Sequence, residues 1–567
     1  MASASAYSQS AVDAYRLSQP DMKGTARYMS MGGAFGALGG DLSTLSHNPA
    51  GIGVYRNSEV GFTLDLDLQH AEATQMGMKY SLNQTKFLLN NMGFVWTLRL
   101  PSSSIPNLNV GFTYNKDVSF NRRYRGGISL NNSLSNYIAA VTTQGGYTES
   151  QLLGDNNNDP YNPTNGYGAP WLSILGYDGY LISDQPLQGQ PNTPNYIGQW
   201  GSNTSGMGYF DVQESGAVDA YNIALGGNIA NVVYWGMDFS ITHMNYSLTP
   251  LWSENLQNAR VGDDRGFISE MPAQWTLNNY YNCSGTGFNY KLGFIVKPIQ
   301  EFRLGFAFET PTWYNLGEAF SANIDYLYNG KDSGSVQTNG GYTGTNDVNF
   351  RTPWKINASA AAVLFNSLIL SAEYEWTQYK KMKYSAPTPW GNDYWYDYGW
   401  GYDYPWDYWW ANTPPNYDPY QPNQPGQSLD QYFYTNNSIN EYYCNTNTFR
   451  FGAEYRVTPQ LSVRAGYSFV SSPVKETTKF SMVETAGTVP NYRLDNTTNY
   501  ITCGLGYKIK NFYVDLAYVY KHMSSTYHAF SPWWPGSNTS NQQPIQSQIS
   551  SLSLNNNQIV LSAGFKF

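Results

Sequence analysis

The sequence predicts an all-β protein: a 14-stranded antiparallel transmembrane β-barrel with an N-terminal plug in its lumen and long extracellular loops. Three observations carry the prediction. Apolar and polar residues alternate in stretch after stretch from Ser58 to the end of the chain. The connections between those stretches run short, long, short, long. The composition suits neither a soluble domain nor a bundle of membrane helices.

Composition removes most alternatives. Only 13% of the 567 residues are charged, against about 25% in soluble domains, while 16% are aromatic, with 49 tyrosines and 17 tryptophans. Mean hydropathy is −0.47, and no apolar run approaches the roughly 18 residues of a spanning helix. Low charge with abundant Tyr, Gly and Asn fits a barrel, where only alternate residues meet lipid. The net charge of −9 comes without a basic cluster, which argues against nucleic acid. Cys283, Cys444 and Cys503 form no disulfide framework, and His47, His70, His243, His522 and His528 have no metal spacing. No cofactor or metal is expected. With no nucleophile motif and no P-loop, neither is enzyme activity. The opening MASASAYSQS lacks the charged start and apolar core of a signal peptide, so the chain is read as essentially mature.

Taken in order, strand one carries Val60, Phe62, Leu64, Leu66 and Leu68 on one face and Glu59, Thr63, Asp65 and Asp67 on the other. The same alternation recurs at 94–100, 108–114, 221–225, 233–241, 288–296, 302–308, 356–364, 368–376, 449–455, 461–469, 501–509, 512–520 and 559–567. Strand three contains Gly111, a weak point without a proline or an obvious bulge. Short connections lie at 101–107, 230–231, 298–300, 365–367, 458–460 and 510–511. Long ones lie near 69–87, 120–218, 249–285, 310–347, 385–445, 472–498 and 524–556. A soluble sandwich has no reason to segregate loop length this way, whereas an outer-membrane barrel has short periplasmic turns and long outer loops. The apolar faces carry aromatics towards strand ends, such as Trp96, Tyr114, Trp376, Tyr467 and Tyr520, in girdle positions. Arg303, Glu309, Glu373, Glu375, Arg450, Glu454, Arg456, Arg464 and Asp515 fall on the other face, towards a lumen. The expected location is the cell outer membrane, multi-pass, with both chain ends on the periplasmic side.

Residues 24–55 stand apart. They hold eight glycines, no helical period and no clean alternation. A barrel of this size encloses more space than its wall side chains fill, so this segment is read as a plug. The domains follow: 1–57 as plug, and 58–567 as barrel with long outer loops, notably 120–218 and 385–445. Gly32, Gly33, Ala34 and Phe35, Asp41, and Asn48, Pro49, Ala50 and Gly51 resemble the N-terminal hatch of the FadL/TodX family of outer-membrane transporters. Thr310-Pro311-Thr312-Trp313-Tyr314-Asn315-Leu316 and Thr352-Pro353-Trp354-Lys355 resemble recurring pieces of members from Bacteroides-like bacteria. The resemblance implies passive uptake of hydrophobic small molecules, such as long-chain fatty acids, with a sideways exit near a kinked third strand. The partners it implies are an apolar ligand and outer-membrane lipid.

Residues 390–410 contain twelve aromatics and four aspartates, which suits either a binding surface or a packed loop. Trp406, Trp409 and Trp410 are its candidate binding residues. Gly154, Asp155 and Asp159 begin like a calcium loop, but Pro160 stands where the glycine belongs and Gly166 where the glutamate does. A short amphipathic helix fits 133–141. His47 is read as a hydrogen-bonded plug histidine in preference to a haem contact. The rival function is a structural or binding barrel whose long loops dock a partner protein or glycan.

Overall fold

The computed structural model describes residues 9–567 except 103, 155–158, 163–167, 186–192, 263–266, 387–431, 486, 535–543 and 547. Trp406, Trp409, Trp410, Asp155 and the whole of 390–410 lie outside the described residues. Fourteen strands form the wall: β1 (Glu59–Gln75), β2 (Met78–Arg99), β3 (Asn107–Ser119), β4 (Ser205–Ile229), β5 (Val233–Gly262), β6 (Ile268–Ile299), β7 (Phe302–Glu309), β8 (Lys355–Leu364), β9 (Leu368–Thr377), β10 (Thr446–Arg456), β11 (Leu461–Val470), β12 (Tyr492–Ile509), β13 (Phe512–His528) and β14 (Ile549–Lys566). Each pairs antiparallel with its sequence neighbours, and β14 returns to pair with β1. The ring is therefore closed, and the backbone has no free edge at its base. All fourteen stretches read from the alternation are strands of this ring.

The strands are much longer than a bilayer requires, and the reason lies in their side chains. On β5, Trp235, Met237, Phe239 and Ile241 point outward, while Asp238, Ser240 and Thr242 point in. Higher up the same strand the polarity inverts. His243, Asn245, Ser247 and Thr249 now point out, and Met244, Tyr246, Leu248 and Trp252 point in, each 2% exposed or less. β6 inverts between Phe288 and Thr286, and β14 between Ile559 and Asn557. Each strand thus leaves hydrocarbon with an apolar outer face and enters water with an apolar inner one. The result is a membrane barrel that continues upward into a second storey with an ordinary hydrophobic core.

This corrects the expected long loops. Residues 69–87 are strand except for the Met76-Gly77 hairpin, and most of 249–285 and 310–347 is strand as well. The strands Trp313–Tyr328 and Gly344–Arg351 continue the wall above β7 and β8. Helices α4 (Leu134–Gly145), α6 (Trp171–Asp178) and α7 (Phe433–Tyr442), with the short α5 (Glu149–Leu153), complete the upper storey. The helix expected near 133–141 is α4, capped by Ser133 and stopped by Gly146 in the left-handed conformation.

The N-terminal segment runs down the inside. Helix α1 (Ala11–Ser18) begins with a capping box of Ser10 and Asp13 and packs into the upper storey, with Tyr15 against Tyr379 and Tyr443. The chain then descends through α2 (Ala26–Ser30), α3 (Thr44–His47) and a 3₁₀ turn (Pro49–Val54) to the base of β1. Phe567 ends beside Ser58 at the short-turn end. Residues 9–18 therefore lie in the upper storey, away from the end that holds the C-terminus, while residues 1–8 lie outside the described residues. The buried face of α1 explains this: Ala11, Val12, Ala14 and Leu17 are each 3% exposed or less in the upper core.

Candidate functional site

The segment 19–55 is tied to nearly every side of the wall. Lys23 Nζ meets Asp65 of β1 at 2.6 Å, and Arg27 Nε meets Glu454 of β10 at 2.9 Å. Ala26 N donates to Ser562 Oγ of β14, Gly32 N to Thr502 Oγ1 of β12, and Gly36 N to Glu373 of β9. Arg303 of β7 donates to the Leu38 carbonyl at 2.7 Å. Asn107 and Asn109 of β3 donate to the Tyr55 and Ile52 carbonyls. Water-free backbone groups need partners, and here the polar inner wall supplies them.

The residues singled out from sequence fall into two groups. Gly32 and Gly33 both have positive φ (62° and 74°), and a Cβ on Gly32 would lie 2.8 Å from the Tyr467 backbone nitrogen. Asn48, Pro49, Ala50 and Gly51 form the second group, at the lower end. Asn48 is fully buried, donates to the Gly36 carbonyl at 2.6 Å and accepts from Ala50 N at 3.1 Å. Its side chain joins two parts of the segment. This turn rests on wall glycines: a Cβ on Gly236 of β5 would strike the Pro49 carbonyl, and one on Gly293 of β6 would strike Asn48 Oδ1. Sequence reasoning missed these wall glycines, because nothing local marks a glycine whose partner lies elsewhere in the chain.

His47, Glu373 and Glu375 gather within 4.8 Å, a spacing that a metal ion could use. Arg450 already occupies the cluster, at 2.6 Å from Glu373 and 3.1 Å from Glu375. His47 Nε2 lies 2.6 Å from Glu373. The donors are committed to ion pairs, so the cluster reads as a lock between segment and wall.

A cavity of about 150 Å³ lies between this segment and the wall, lined by Asp21, Lys23, His47, Asp117, Asn289, Lys291, Glu309, Lys355, Glu375 and Arg450 among others. It is polar. Above it the lumen is filled by the upper core, where Trp252, Tyr246 and Trp275 are fully or almost fully buried. Burial there also shifts ionisable groups. The Glu254 carboxyl, which accepts from Leu134 N and Trp252 Nε1, is pushed up to about 7. Burial pushes His528, stacked on Tyr492, down to about 3, so it stays neutral.

The wall itself is discontinuous at one seam. β2 and β3 pair from Arg99 with Asn107 up to Asn91 with Asn115, and no further. Just there, β2 bulges at Asn90 against β1 and β3 bulges at Asp117 against β4. Beyond Ser119 the chain turns inward, and strand Arg122–Ser129 pairs only with β4. Its backbone also donates hydrogen bonds to the inward-pointing Gln69 and Gln75 of β1, from Arg123 N and Ser129 N to the side-chain Oε1 atoms. At about 3.3 Å per residue and a tilt near 40°, the seam opens about 20 Å above the short turns, high in the apolar band. Gly111 is not the break. It pairs regularly on both sides and gives room to Leu45 and Ile52.

A closed barrel with a lipid-facing apolar belt, a polar lower lumen and an internal N-terminal segment has the architecture of an outer-membrane β-barrel. Residues 267–531 match the family model described as outer membrane protein transport protein (OMPP1/FadL/TodX). The chain thus carries the pattern of that family over those residues, while the hatch-like motif at 32–51 lies outside them. Among solved structures it is similar to a Pseudomonas aeruginosa FadL homologue, at 12% identity over 97% of this chain and 99% of that one, TM-score 0.48. It is also similar to the Pseudomonas putida toluene transporter TodX, at 10% identity over 96% and 99%, TM-score 0.46. No curated protein matches the chain.

Proposed function

We propose that this barrel passes hydrophobic small molecules of the long-chain fatty acid kind through the outer membrane without an energy source. Residues 1–57 act as the hatch, and the solute leaves sideways between β2 and β3. The observation that supports this most is the end of β2–β3 pairing at Asn91 and Asn115, flanked by the Asn90 and Asp117 bulges. An unpaired strand edge facing lipid is costly unless it serves a purpose. Short turns face the periplasm in this reading, which places the seam in the outer half of the bilayer. Deleting Asp117 removes the bulge. Fatty-acid uptake by cells or proteoliposomes should then fall while the barrel stays folded, and unchanged uptake would rule out this exit.

A second reading rests on the filled upper storey. A lumen packed with side chains suits a barrel that displays its top to a partner protein or glycan. Pull-down of a defined surface partner, lost on changing the exposed upper face and with no fatty-acid uptake by the intact chain, would favour it.

A further inference from the structure

The two Thr-Pro motifs sit side by side in the wall. Below them β7 and β8 pair over eight residues, from Phe302 with Ala362 to Glu309 with Lys355. Above them Trp313–Tyr328 pairs with Gly344–Arg351, from Trp313 with Arg351 upward. Between lie 310–312 and 352–354, where the ladder is missing. Pro311 and Pro353 have no N–H to give it. Only Thr312 and Thr352 bridge the break, through Thr312 N to Thr352 Oγ1 (2.8 Å) and Thr352 N to Thr312 O (3.1 Å). Outside, Trp313 packs on Phe288 and Trp354 on Phe308, in the manner of interfacial aromatics. The height is again about 20 Å above the short turns.

Inside, the break opens on the polar cavity, and the side chains there have unused capacity. Asp117 projects into it with no ion pair or hydrogen bond among the described residues. Asn289, 2% exposed, donates to Thr312 but leaves its Oδ1 without a partner. These are acceptors without donors. Opposite them is Lys355, whose side chain is one-third exposed and held only by Glu309 at 3.2 Å. A partly exposed pair of this kind is weak and exchanges readily. The cavity has room for about five waters, enough for a small head group and too little for an acyl chain.

We propose that the paired Thr-Pro break is a second lateral port, through which the zwitterionic head of an amphiphile enters this cavity. Its primary ammonium donates to Asp117 and Asn289, its anionic group meets Lys355, and its chain remains in the hydrocarbon between Trp313 and Trp354. The port deepens the channel reading, on which its outward orientation rests, and supplies an entry that the filled upper storey does not obstruct. An ethanolamine head fits because its nitrogen carries N–H donors. A choline head has none, and a fatty acid has no cation.

The test uses the full-length protein, purified in detergent and equilibrated with lysophosphatidylethanolamine, lysophosphatidylcholine or a fatty acid of equal chain length. Retained lipid is read by native mass spectrometry. The ethanolamine lipid should be retained in preference, and Asp117→Asn or Lys355→Gln should abolish the preference. Oxidising the Thr312→Cys/Thr352→Cys pair should block loading, and reductant should restore it, with the cross-link confirmed by peptide mass. Equal retention of all three lipids by the unaltered protein overturns the proposal, as does a preference that survives both single changes. If Asp117→Asn fails to fold, the Lys355→Gln and cross-linking results decide. Fatty-acid uptake measured on the same preparation reports separately on the channel reading, because its loss leaves the binding result standing.

Discussion

Gly293→Ala should unseat the N-terminal segment without harming the wall. The added methyl strikes Asn48 Oδ1, a fully buried atom that accepts from Ala50 N. Asn48 must swing away, which also breaks its bond to the Gly36 carbonyl. Two buried backbone groups then lack partners, at about 1–3 kcal/mol each. A total near 4 kcal/mol would shift the seated fraction by roughly a thousandfold, since about 1.4 kcal/mol corresponds to a factor of ten. Asn48→Ala loses the same two bonds but removes the obstructing atom. Adding Gly293→Ala to it should therefore cost only the remaining close approach to Ala50 N at 2.9 Å, less than Gly293→Ala alone by most of those about 4 kcal/mol. Gly236→Ala has no such rescue, because it strikes the Pro49 backbone carbonyl and not a side chain. Single-channel conductance in planar bilayers reads the opening, and heat-shifted gel migration reports an intact barrel. A folded Gly293→Ala barrel with unaltered conductance, or additive effects in the double variant, would refute this account of the seat.

Deleting 24–51 should raise the permeability of cells to small polar solutes, and unchanged leakage with a folded barrel would show that these residues do not block the lumen. Glu254 gives a pH dependence with a definite sign. Its carboxyl is raised from 4.5 to about 7 by burial, so the folded state holds the proton more tightly than the unfolded one. The upper storey should lose about 3 kcal/mol as pH rises from 4.5 through 7 and then level off, while Glu254→Gln should be flat; hydrogen exchange of α4 between pH 5 and 8 measures this. Replacing Trp406, Trp409 and Trp410 with serine should weaken the fluorescence response to a long-chain amphiphile or surface glycan, each ring contributing about 1 kcal/mol; an unchanged response would detach those residues from binding.

The lower barrel was legible because one rule governs it: apolar out, polar in, with a turn at the base. Val60 to Leu68 obey it, and so do Phe302 to Phe308 apart from the inward Ala307. The upper storey was not, although its alternation is as regular. Met244, Tyr246 and Leu248 alternate in the opposite phase to Trp235, Met237 and Phe239, so a scan that holds one phase stops at Ile241. The charged lumen side chains were identified by exclusion from lipid, but their partners were not. Glu373 finds Gly36, His47 and Arg450 only through the fold. Asp117 gave no signal either, since a bulge made by an ordinary residue between Lys116 and Val118 has no sequence mark. The Thr-Pro motifs were visible as motifs, yet their meaning lies in lying abreast, which needs the register of two strands.

The length of β5 and β6 has a consequence at the cell surface. With 30 and 32 residues, these strands run about 100 Å along their own axes, or about 75 Å along the barrel at a tilt near 40°. The hydrocarbon accounts for only about 25 Å of that. With the short turns facing the periplasm, as proposed, the protein is a tower whose summit stands well outside the bilayer. A phage tail or an antibody arriving from outside touches polar residues such as Asn245, Ser247 and Asn282 long before it reaches lipid. Those outward faces tolerate change better than the inner ones, because the apolar packing that holds the tower upright lies on the inner side of the same strands.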